Sequence, residues 1–247
     1  MTEYDPDRIS ILGTSVSRFN SLDQVVGLIR RRIKSRLPTF CVAINPEKVQ
    51  RARCDPKLGQ VLNAAHVQIC DGVGVALAAK FLYGENLSRC TGIDLFLELV
   101  TLAAAEDWSI FLLGASPESN AGARRALAAR FPGLKIAGNQ HGYFQDSSAI
   151  LERINSSGAD LLFVAMGSPR QEFWISEHLP QLKTCFCMGI GGSLDVLSGR
   201  AKRAPVLFRR TGTEWLFRLL AQPSRIRRQS MLPLFALDVL RNAAGSH

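Results

Sequence analysis

Short apolar runs rich in β-branched residues alternate with helical stretches along most of this 247-residue chain. The runs that predict strands cover residues 9–12, 39–44, 67–70, 109–113, 134–137, 161–165 and 185–190. Strands separated by helices must be joined by crossovers, so they pair in parallel and the helices cover the sheet. The pattern therefore predicts an α/β fold with a Rossmann-like, mostly parallel sheet and helices on both faces.

Capping residues and prolines mark where the helices between these strands begin. Ser21 with Gln24 forms a capping-box pattern, Pro46 suits a first helical turn, and Thr91 precedes another apolar stretch. Further helices are predicted over residues 75–82, 117–131, 148–155, 169–179 and 213–220. Residues 193–205 read as a loop, and residues 231–240 form a short apolar segment.

Positive charge is concentrated near the C-terminus. The formal net charge is +9, and the stretch from residue 200 to residue 228 holds nine Lys and Arg residues against one acidic residue, Glu214. A basic segment on an otherwise nearly neutral chain predicts an anionic partner for that segment alone. We therefore divide the chain into an α/β domain, residues 1–195, and a basic, helical C-terminal appendage, residues 196–247.

Several classes of protein are disfavoured by composition. No apolar run approaches the roughly 18–20 residues that cross a bilayer, and the polar, acidic first residues do not resemble a secretory signal. The six cysteines include no Cys-x-x-Cys pair, and the four histidines form no His-x-x-x-His pattern. These features predict a cytosolic protein with buried thiols, without disulfides or a zinc site.

Polar residues and glycines follow several predicted strands, where parallel sheets bind their ligands. The segment Asp71–Gly74 places a carboxylate at a strand end, next to a helix N-terminus that could meet phosphate. Gln171 and Glu172 follow Gly167 at the start of a helix, and the glycines of segment 189–192 would allow a pyrophosphate to approach. Taken singly, each segment also fits an ordinary turn or helix cap. As a dinucleotide fingerprint the first segment lacks its third glycine, which disfavours an oxidoreductase.

The basic segment has more than one interpretation. On a continuous helix, Arg218, Arg225 and Arg228 would share one broad face, with aromatic and leucine side chains between them. Such a face could bind an anionic membrane surface or the phosphates of a substrate, or it could simply be solvated. Many nucleotide-sugar transferases hold a metal with an Asp-x-Asp motif, but none follows a predicted strand here, because Asp5-Pro6-Asp7 precedes the first one. Arginines and backbone N–H groups would then stabilise a leaving diphosphate.

In their order and spacing, the motifs resemble the WecG/TagA/CpsF family of glycosyltransferases, family 26. The resemblance runs from residue 45 to residue 228. The matching segments are Asn45-Pro-Glu, Cys70-Asp-Gly-Val-Gly74, Ser88-Arg-Cys-Thr-Gly-Ile-Asp94, Phe111-Leu-Leu-Gly-Ala115, His141-Gly-Tyr-Phe144, Ala165-Met-Gly-Ser-Pro-Arg-Gln-Glu172, Gly189-Ile-Gly-Gly192, Arg203-Ala-Pro205 and Glu214-Trp-Leu-Phe-Arg218. The family often has Thr two residues before the Asn, and here that residue is Ala43, which leaves the identity of the sugar open.

The resemblance implies an inverting, metal-independent transferase without a cofactor. It would move N-acetylmannosamine, its uronic acid or glucose from a UDP-sugar to an undecaprenyl-pyrophosphate-linked saccharide during cell-surface polysaccharide synthesis. Residues 1–195 would be catalytic, and the appendage would associate with the cytoplasmic face of the bacterial plasma membrane; self-association is possible and nucleic acid is not an expected partner.

The resemblance also assigns roles to individual residues. Asp71 would be the catalytic base. The substrate-binding residues would be Asn45, Gly72, Gly74, Arg89, Gly167, Gln171, Glu172, Gly191, Gly192 and Arg203, and the acceptor diphosphate or the membrane would meet Arg218, Arg225 and Arg228. The alternative is a non-catalytic membrane or nucleic-acid adaptor, which accounts for the basic segment but not for the glycines at the strand ends.

Overall fold

A computed structural model describes residues 5–221 and 230–244. Its strands are β1 (Arg8–Ile11), β2 (Thr14–Ser17), β3 (Thr39–Ile44), β4 (Val67–Cys70), β5 (Ser109–Gly114), β6 (Lys135–Gln140), β7 (Leu161–Ala165) and β8 (Phe186–Gly189). Its α-helices are α1 (Leu22–Lys34), α2 (Pro46–Cys54), α3 (Pro56–Ala64), α4 (Val73–Tyr83), α5 (Gly92–Ala105), α6 (Pro117–Arg130), α7 (Ser147–Ser157), α8 (Arg170–His178), α9 (Ser193–Leu197), α10 (Val206–Arg210), α11 (Glu214–Ala221) and α12 (Met231–Ala244). A short 3₁₀ turn, Leu179–Gln181, follows α8.

Six strands form one sheet in the order β4-β3-β8-β7-β5-β6, and every neighbouring pair is parallel. Both β3 and β7 are buried at every position, as expected for strands covered on both faces. The carboxyl ends of all six strands lie at the same edge of this sheet. The prediction of an α/β fold with a parallel sheet is confirmed.

Two apolar clusters cover the two faces of the sheet. One contains buried side chains of α2, α3, α4, α7, α8 and α12, among them Ile175 and Phe235. The other contains those of α1, α5, α6 and α9, among them Phe96 and Leu194. In the second cluster Phe96 packs edge-on against Phe163 of β7, with ring centroids 4.6 Å apart. Helices on both faces therefore bury a sheet whose strands are apolar on both sides.

Local sequence explains where several helices begin. The side chains of Ser21, Asn45, Asp55, Thr91 and Ser116 each accept a hydrogen bond from a backbone N–H in the first turn of the following helix. Such caps satisfy N–H groups that have no partner within the helix. Three of these helices, α2, α3 and α6, also begin with proline, which has no N–H to satisfy.

The structure differs from the sequence predictions at both ends of the chain. The predicted first strand pairs with β2 in a separate antiparallel hairpin, not in the main sheet. The expectation of a loop over residues 193–205 is wrong at its start, because Ser193–Leu197 is helical. The apolar segment after residue 230 is a helix that ends at Ala244.

Helix α12 returns to the body of the protein and packs against α2 and α4. Phe235 and Val239 are buried there, and Gln50 donates a 2.9 Å hydrogen bond to Asp238. The proposed division at residue 195 falls within α9, and the folding of residues 196–247 as a unit stays a prediction. Across residues 5–221 and 230–244, no helix combines the length and apolarity needed to cross a membrane.

Candidate active site

A cleft of about 1080 Å³ opens at the carboxyl ends of β3, β4, β7 and β8. Its wall contains all the residues predicted for catalysis and substrate binding except Glu172, namely Asn45, Asp71, Gly72, Gly74, Arg89, Gly167, Gln171, Gly191, Gly192 and Arg203. These residues come from six separate stretches of the chain. The topology of the sheet therefore gathers the strand-end motifs around one cavity, as the general rule for parallel sheets requires.

Asp71 stands at the point where β4 gives way to α4. Its backbone N–H donates a 2.8 Å hydrogen bond to the carbonyl of Ile44, which ties the ends of β3 and β4 together. Gly72 follows with a φ of 100°, a left-handed conformation that a residue with a Cβ adopts only with strain. Gly72 offers no side chain to cap α4, so the first N–H groups of that helix are placed for an anion in the cleft.

The entrance to α2 forms the neighbouring part of the wall. Asn45 caps this helix, since its Oδ1 accepts a 2.9 Å hydrogen bond from the N–H of Lys48. The amide nitrogen of Asn45 and the second lone pair of its Oδ1 are the groups that could contact a ligand. Gly74 has a packing role, because a Cβ at this position would lie 2.7 Å from Cγ of Pro46. A glycine here lets α4 approach the first turn of α2.

Glu172 differs from the other predicted substrate-binding residues, because it is fully buried and does not line the cleft. Its Oε1 lies 2.7 Å from Nζ of Lys48, and Lys48 itself lines the cleft. Burial raises the pKa of Glu172, but the charge of Lys48 and hydrogen bonds from Lys48, Gln171 and the backbone outweigh it and hold that pKa below its ordinary value. Glu172 is therefore an ionised group beneath the cleft, and its contact with a substrate would be indirect.

Gln171 connects this ion pair to the glycine loop after β8. Its Nε2 donates a 3.0 Å hydrogen bond to Oε1 of Glu172, and its Oε1 accepts a 3.0 Å hydrogen bond from the N–H of Gly191. Gly189 makes room for the amide, since a Cβ there would lie 2.5 Å from Nε2 of Gln171. The predicted pyrophosphate loop is thus held by a side chain whose own polar atoms are used within the protein.

Two arginines, Arg89 and Arg203, also line the cleft. The backbone N–H of Cys90 donates to the carbonyl of Cys70 at 2.9 Å, which brings Arg89 beside the end of β4. Arg203 makes an ion pair with Asp94, whose second oxygen accepts a 2.6 Å hydrogen bond from Thr91. Both arginines line the cleft that holds Asp71, and Asp94 balances the charge of Arg203.

The C-terminal part of the chain forms the outer wall. Trp215 and Phe217 of α11 line the cleft, as do Phe235 and Leu240 of α12. Of the three arginines predicted there, Arg225 and Arg228 lie outside the described residues. The backbone of Arg218 belongs to α11. Their proposed contacts with a diphosphate or a membrane stay predictions.

Thiols near the cleft are poor nucleophiles. Burial first, and the charge of Asp71 second, raise the pKa of Cys70 to about 12. Burial first, and the charge of Asp71 second, also raise the pKa of Cys90. The thiolate is the reactive form of cysteine, so these side chains are interior packing groups at neutral pH.

A metal-binding cluster of three or more His, Cys, Asp or Glu side chains is absent from residues 5–221 and 230–244. Asp5, from the Asp-x-Asp sequence near the N-terminus, lies 3.3 Å from Arg32 and does not line the cleft. Whether the reaction needs a metal or a cofactor stays a prediction from the sequence.

Lys48 is a charged residue of the cleft that sequence reasoning missed. In the sequence it occupies the third position of a helix, where a lysine ordinarily faces solvent, and its partner Glu172 is far away in the chain. A lysine in the first turn also opposes the helix dipole, and this was the only local signal available. The aromatic wall from α11 and α12 was likewise missed, because it depends on how the C-terminal helices fold back.

Comparison with known proteins identifies the family of this chain. The model of the glycosyl transferase WecG/TagA/CpsF family matches residues 9–247. One relative is the N-acetylglucosaminyldiphosphoundecaprenol N-acetyl-beta-D-mannosaminyltransferase of Bacillus spizizenii (strain ATCC 23059 / NRRL B-14472 / W23), 36% identical over 207 residues, which are 84% of this chain and 80% of that protein. The match includes both the strand-end motifs and the C-terminal helices, so this chain is a glycosyltransferase that belongs to the WecG/TagA/CpsF family.

Proposed function

We propose that this glycosyltransferase moves a hexose derivative from a UDP-sugar to a saccharide linked to a polyprenyl diphosphate, with inversion at the anomeric carbon. The observation that carries the proposal is the position of Asp71 in a cleft whose wall also holds the N-terminus of α4, Arg89 and Arg203. Such a cleft offers a base for an acceptor hydroxyl and positive groups for a diphosphate.

The reaction would be a single displacement. An acceptor hydroxyl attacks the anomeric carbon while the bond from that carbon to the UDP oxygen breaks on the opposite face. Asp71 removes the hydroxyl proton, and UDP leaves with the electron pair of the broken bond. Holding both substrates in line supplies a large part of the rate, since their orientation is fixed before reaction.

Charge that develops on the β-phosphate of UDP needs stabilisation. The N–H groups at the start of α4 and the loop at Gly191 and Gly192 are suited to this, and the guanidinium groups of Arg89 and Arg203 would donate further hydrogen bonds to the phosphate. The three predicted appendage arginines, Arg218, Arg225 and Arg228, would act on the same diphosphate or on the membrane surface.

The acceptor is inferred from the relative, whose name places N-acetylglucosamine on diphosphoundecaprenol. Exposed apolar side chains beside the cleft, among them Leu77, Phe81 and Leu240, are compatible with a lipid-linked substrate at a membrane surface. We infer that the protein works as a peripheral protein on the cytoplasmic face of that membrane. N-acetylmannosamine, its uronic acid and glucose are the donor sugars to test.

The test is UDP release from a panel of UDP-sugars, with and without a short-chain polyprenyl-diphosphate-linked N-acetylglucosamine. We expect release that requires one donor and the acceptor together, and a disaccharide product with the inverted anomeric configuration. Retention of configuration would contradict the single displacement. If no pair of substrates gives UDP release and UDP does not bind, the donor assignment is contradicted and the adaptor function is favoured.

A further inference from the structure

The buried ion pair between Lys48 and Glu172 lies directly under the cleft. Lys48 Nζ donates a 2.8 Å hydrogen bond to the carbonyl of Ala43 and lies 2.7 Å from Glu172 Oε1. Glu172 is fully buried, whereas Lys48 is 5% exposed and is one of the residues that line the cleft. Two charged groups have thus been removed from water at the floor of the site.

Neither stability nor local propensity explains this pair. Taking a lysine and a glutamate out of water is unfavourable for each ion, and well-packed apolar residues often stabilise a protein as well or better. A lysine at the third position of a helix also meets the unfavourable positive end of the helix dipole. A role in binding a substrate would account for a lysine at this position of the cleft.

The hydrogen bonds of Lys48 leave capacity for a ligand. An ammonium group has three N–H donors, and the carbonyl of Ala43 and the carboxylate of Glu172 account for two of them. Within the described residues, Oε2 of Glu172 is buried without a hydrogen-bond partner. Lys48 also lies one turn into the helix that Asn45 caps, beside the strand end that carries Asp71.

We propose that Lys48 binds an anionic diphosphate oxygen of a substrate through its third N–H, and that Glu172 and Gln171 are positioning residues that hold Lys48 and the amide of Gly191 in place. The inference rests on the proposed function, because it needs a substrate diphosphate in the cleft. Glu172 acts on Lys48 through the ion pair. Gln171 bridges the carboxylate to the glycine loop, so that the two walls of the cleft are set by one continuous network.

The diphosphate could belong to the UDP-sugar or to the lipid-linked acceptor, and the experiment separates them. The first measurement is the Kd of UDP alone by calorimetry, and the second is the KM of each substrate in the UDP-release assay. The variants are Lys48→Met, Lys48→Arg and the double variant K48M/E172Q, which replaces the ion pair by a neutral pair of similar size. Lys34→Met is the control, because it removes a lysine that pairs with Glu106 outside the cleft.

The double variant distinguishes a binding role from a structural one. Lys48→Met leaves a buried carboxylate unpaired and is expected to lose stability, whereas K48M/E172Q should recover the melting temperature. We expect the double variant to stay about 10- to 100-fold weaker in its UDP Kd, since a hydrogen bond to a charged group is lost. Lys48→Arg should retain more affinity than Lys48→Met, and Lys34→Met should match the wild type.

Each result has a defined meaning. A UDP Kd that stays weak in a stable double variant assigns Lys48 to the donor, and an unchanged UDP Kd with a raised acceptor KM assigns it to the acceptor. If the double variant recovers stability, UDP affinity and both KM values, the pair is only structural and the inference is overturned. If the wild type itself neither binds UDP nor turns over, the proposed function fails. A wild type that binds UDP and turns over, together with a fully recovered double variant, overturns only the inference about Lys48.

Discussion

Among the side chains that attach helix α12 to the body of the protein, Phe235 makes the largest apolar contribution. Phe235 is 4% exposed and lies in the apolar cluster with α2 and α4, next to the space that Gly74 leaves open. Val239, one turn further on, is the other buried side chain of this helix, and Asp238 binds Gln50 and Arg53 of α2. We predict that Phe235→Ala releases α12 while the sheet stays folded.

The magnitude follows from these contacts. Full burial of a Phe side chain contributes about 3 kcal/mol, and that of Val about 1.5 kcal/mol. A hydrogen bond to a charged group contributes about 2 kcal/mol, so Phe235 supplies nearly half of the free energy of these three interactions. Since each 1.4 kcal/mol is about a factor of ten in an equilibrium constant, Phe235→Ala should raise the detached population about 100-fold.

Hydrogen exchange measured by mass spectrometry reports the population of molecules in which α12 is detached. Amides of residues 231–244 should lose protection by about 100-fold, while amides of β3 and β8 should exchange as in the wild type. Leu237→Ala is the matched control, because Leu237 belongs to the same helix but is 43% exposed. Unchanged exchange of α12 in Phe235→Ala would refute the reasoning, and so would an equal loss of protection in β3 and β8.

Three further predictions test the interior. A thiol reagent applied to the native protein should label Cys54, which is exposed. It should spare Cys187, because burial raises the pKa of that thiol to about 12. A mass spectrum that shows several labelled cysteines would contradict this prediction. Because the pKa of Glu172 is below its ordinary value of 4.5, its contribution to stability is present above pH 4.5 and is lost as the pH falls through the lowered pKa. The difference in unfolding free energy between wild type and Glu172→Gln should narrow below pH 4.5, and a constant difference would argue against an ionised Glu172. Gly138→Ala should cost about 1–3 kcal/mol in urea unfolding, because a Cβ there would lie 2.5 Å from the ring of Phe111; a neutral effect would mean that the ring can move away.

The main sheet could be predicted because its strands carry an unambiguous signal. Segments 39–44 and 161–165 are buried on both faces, so each appears as a continuous apolar run instead of an alternating one. The hairpin strand Thr14–Ser17 was missed because its sequence, Thr-Ser-Val-Ser, has only one strongly apolar residue. Helix α3 was also missed, although Asp55 and Pro56 are a normal helix start, because the preceding helix ends immediately before them.

The candidate site could be predicted only in part, for a physical reason. Glycines and polar residues at strand ends reveal themselves locally, and the fold gathers them at one edge. The ion pairs of Lys48 with Glu172 and of Arg203 with Asp94 cannot be predicted in this way, because the two members of each pair are distant in sequence and meet only when the chain folds. The side chains of Gln171 and Glu172 belong to the first turn of the same helix and are both buried, yet only Gln171 lines the cleft, and the sequence has no sign of this difference.

The most direct test of the central claim is the turnover of Asp71→Asn, measured with the donor and acceptor that support UDP release in the wild type. Asparagine keeps the size of the side chain but cannot accept the proton as a carboxylate does. The account predicts a kcat lower by about 10²- to 10⁴-fold, with a UDP Kd within a few-fold of the wild type. A variant that retains near-full turnover would contradict the assignment of Asp71 as the base.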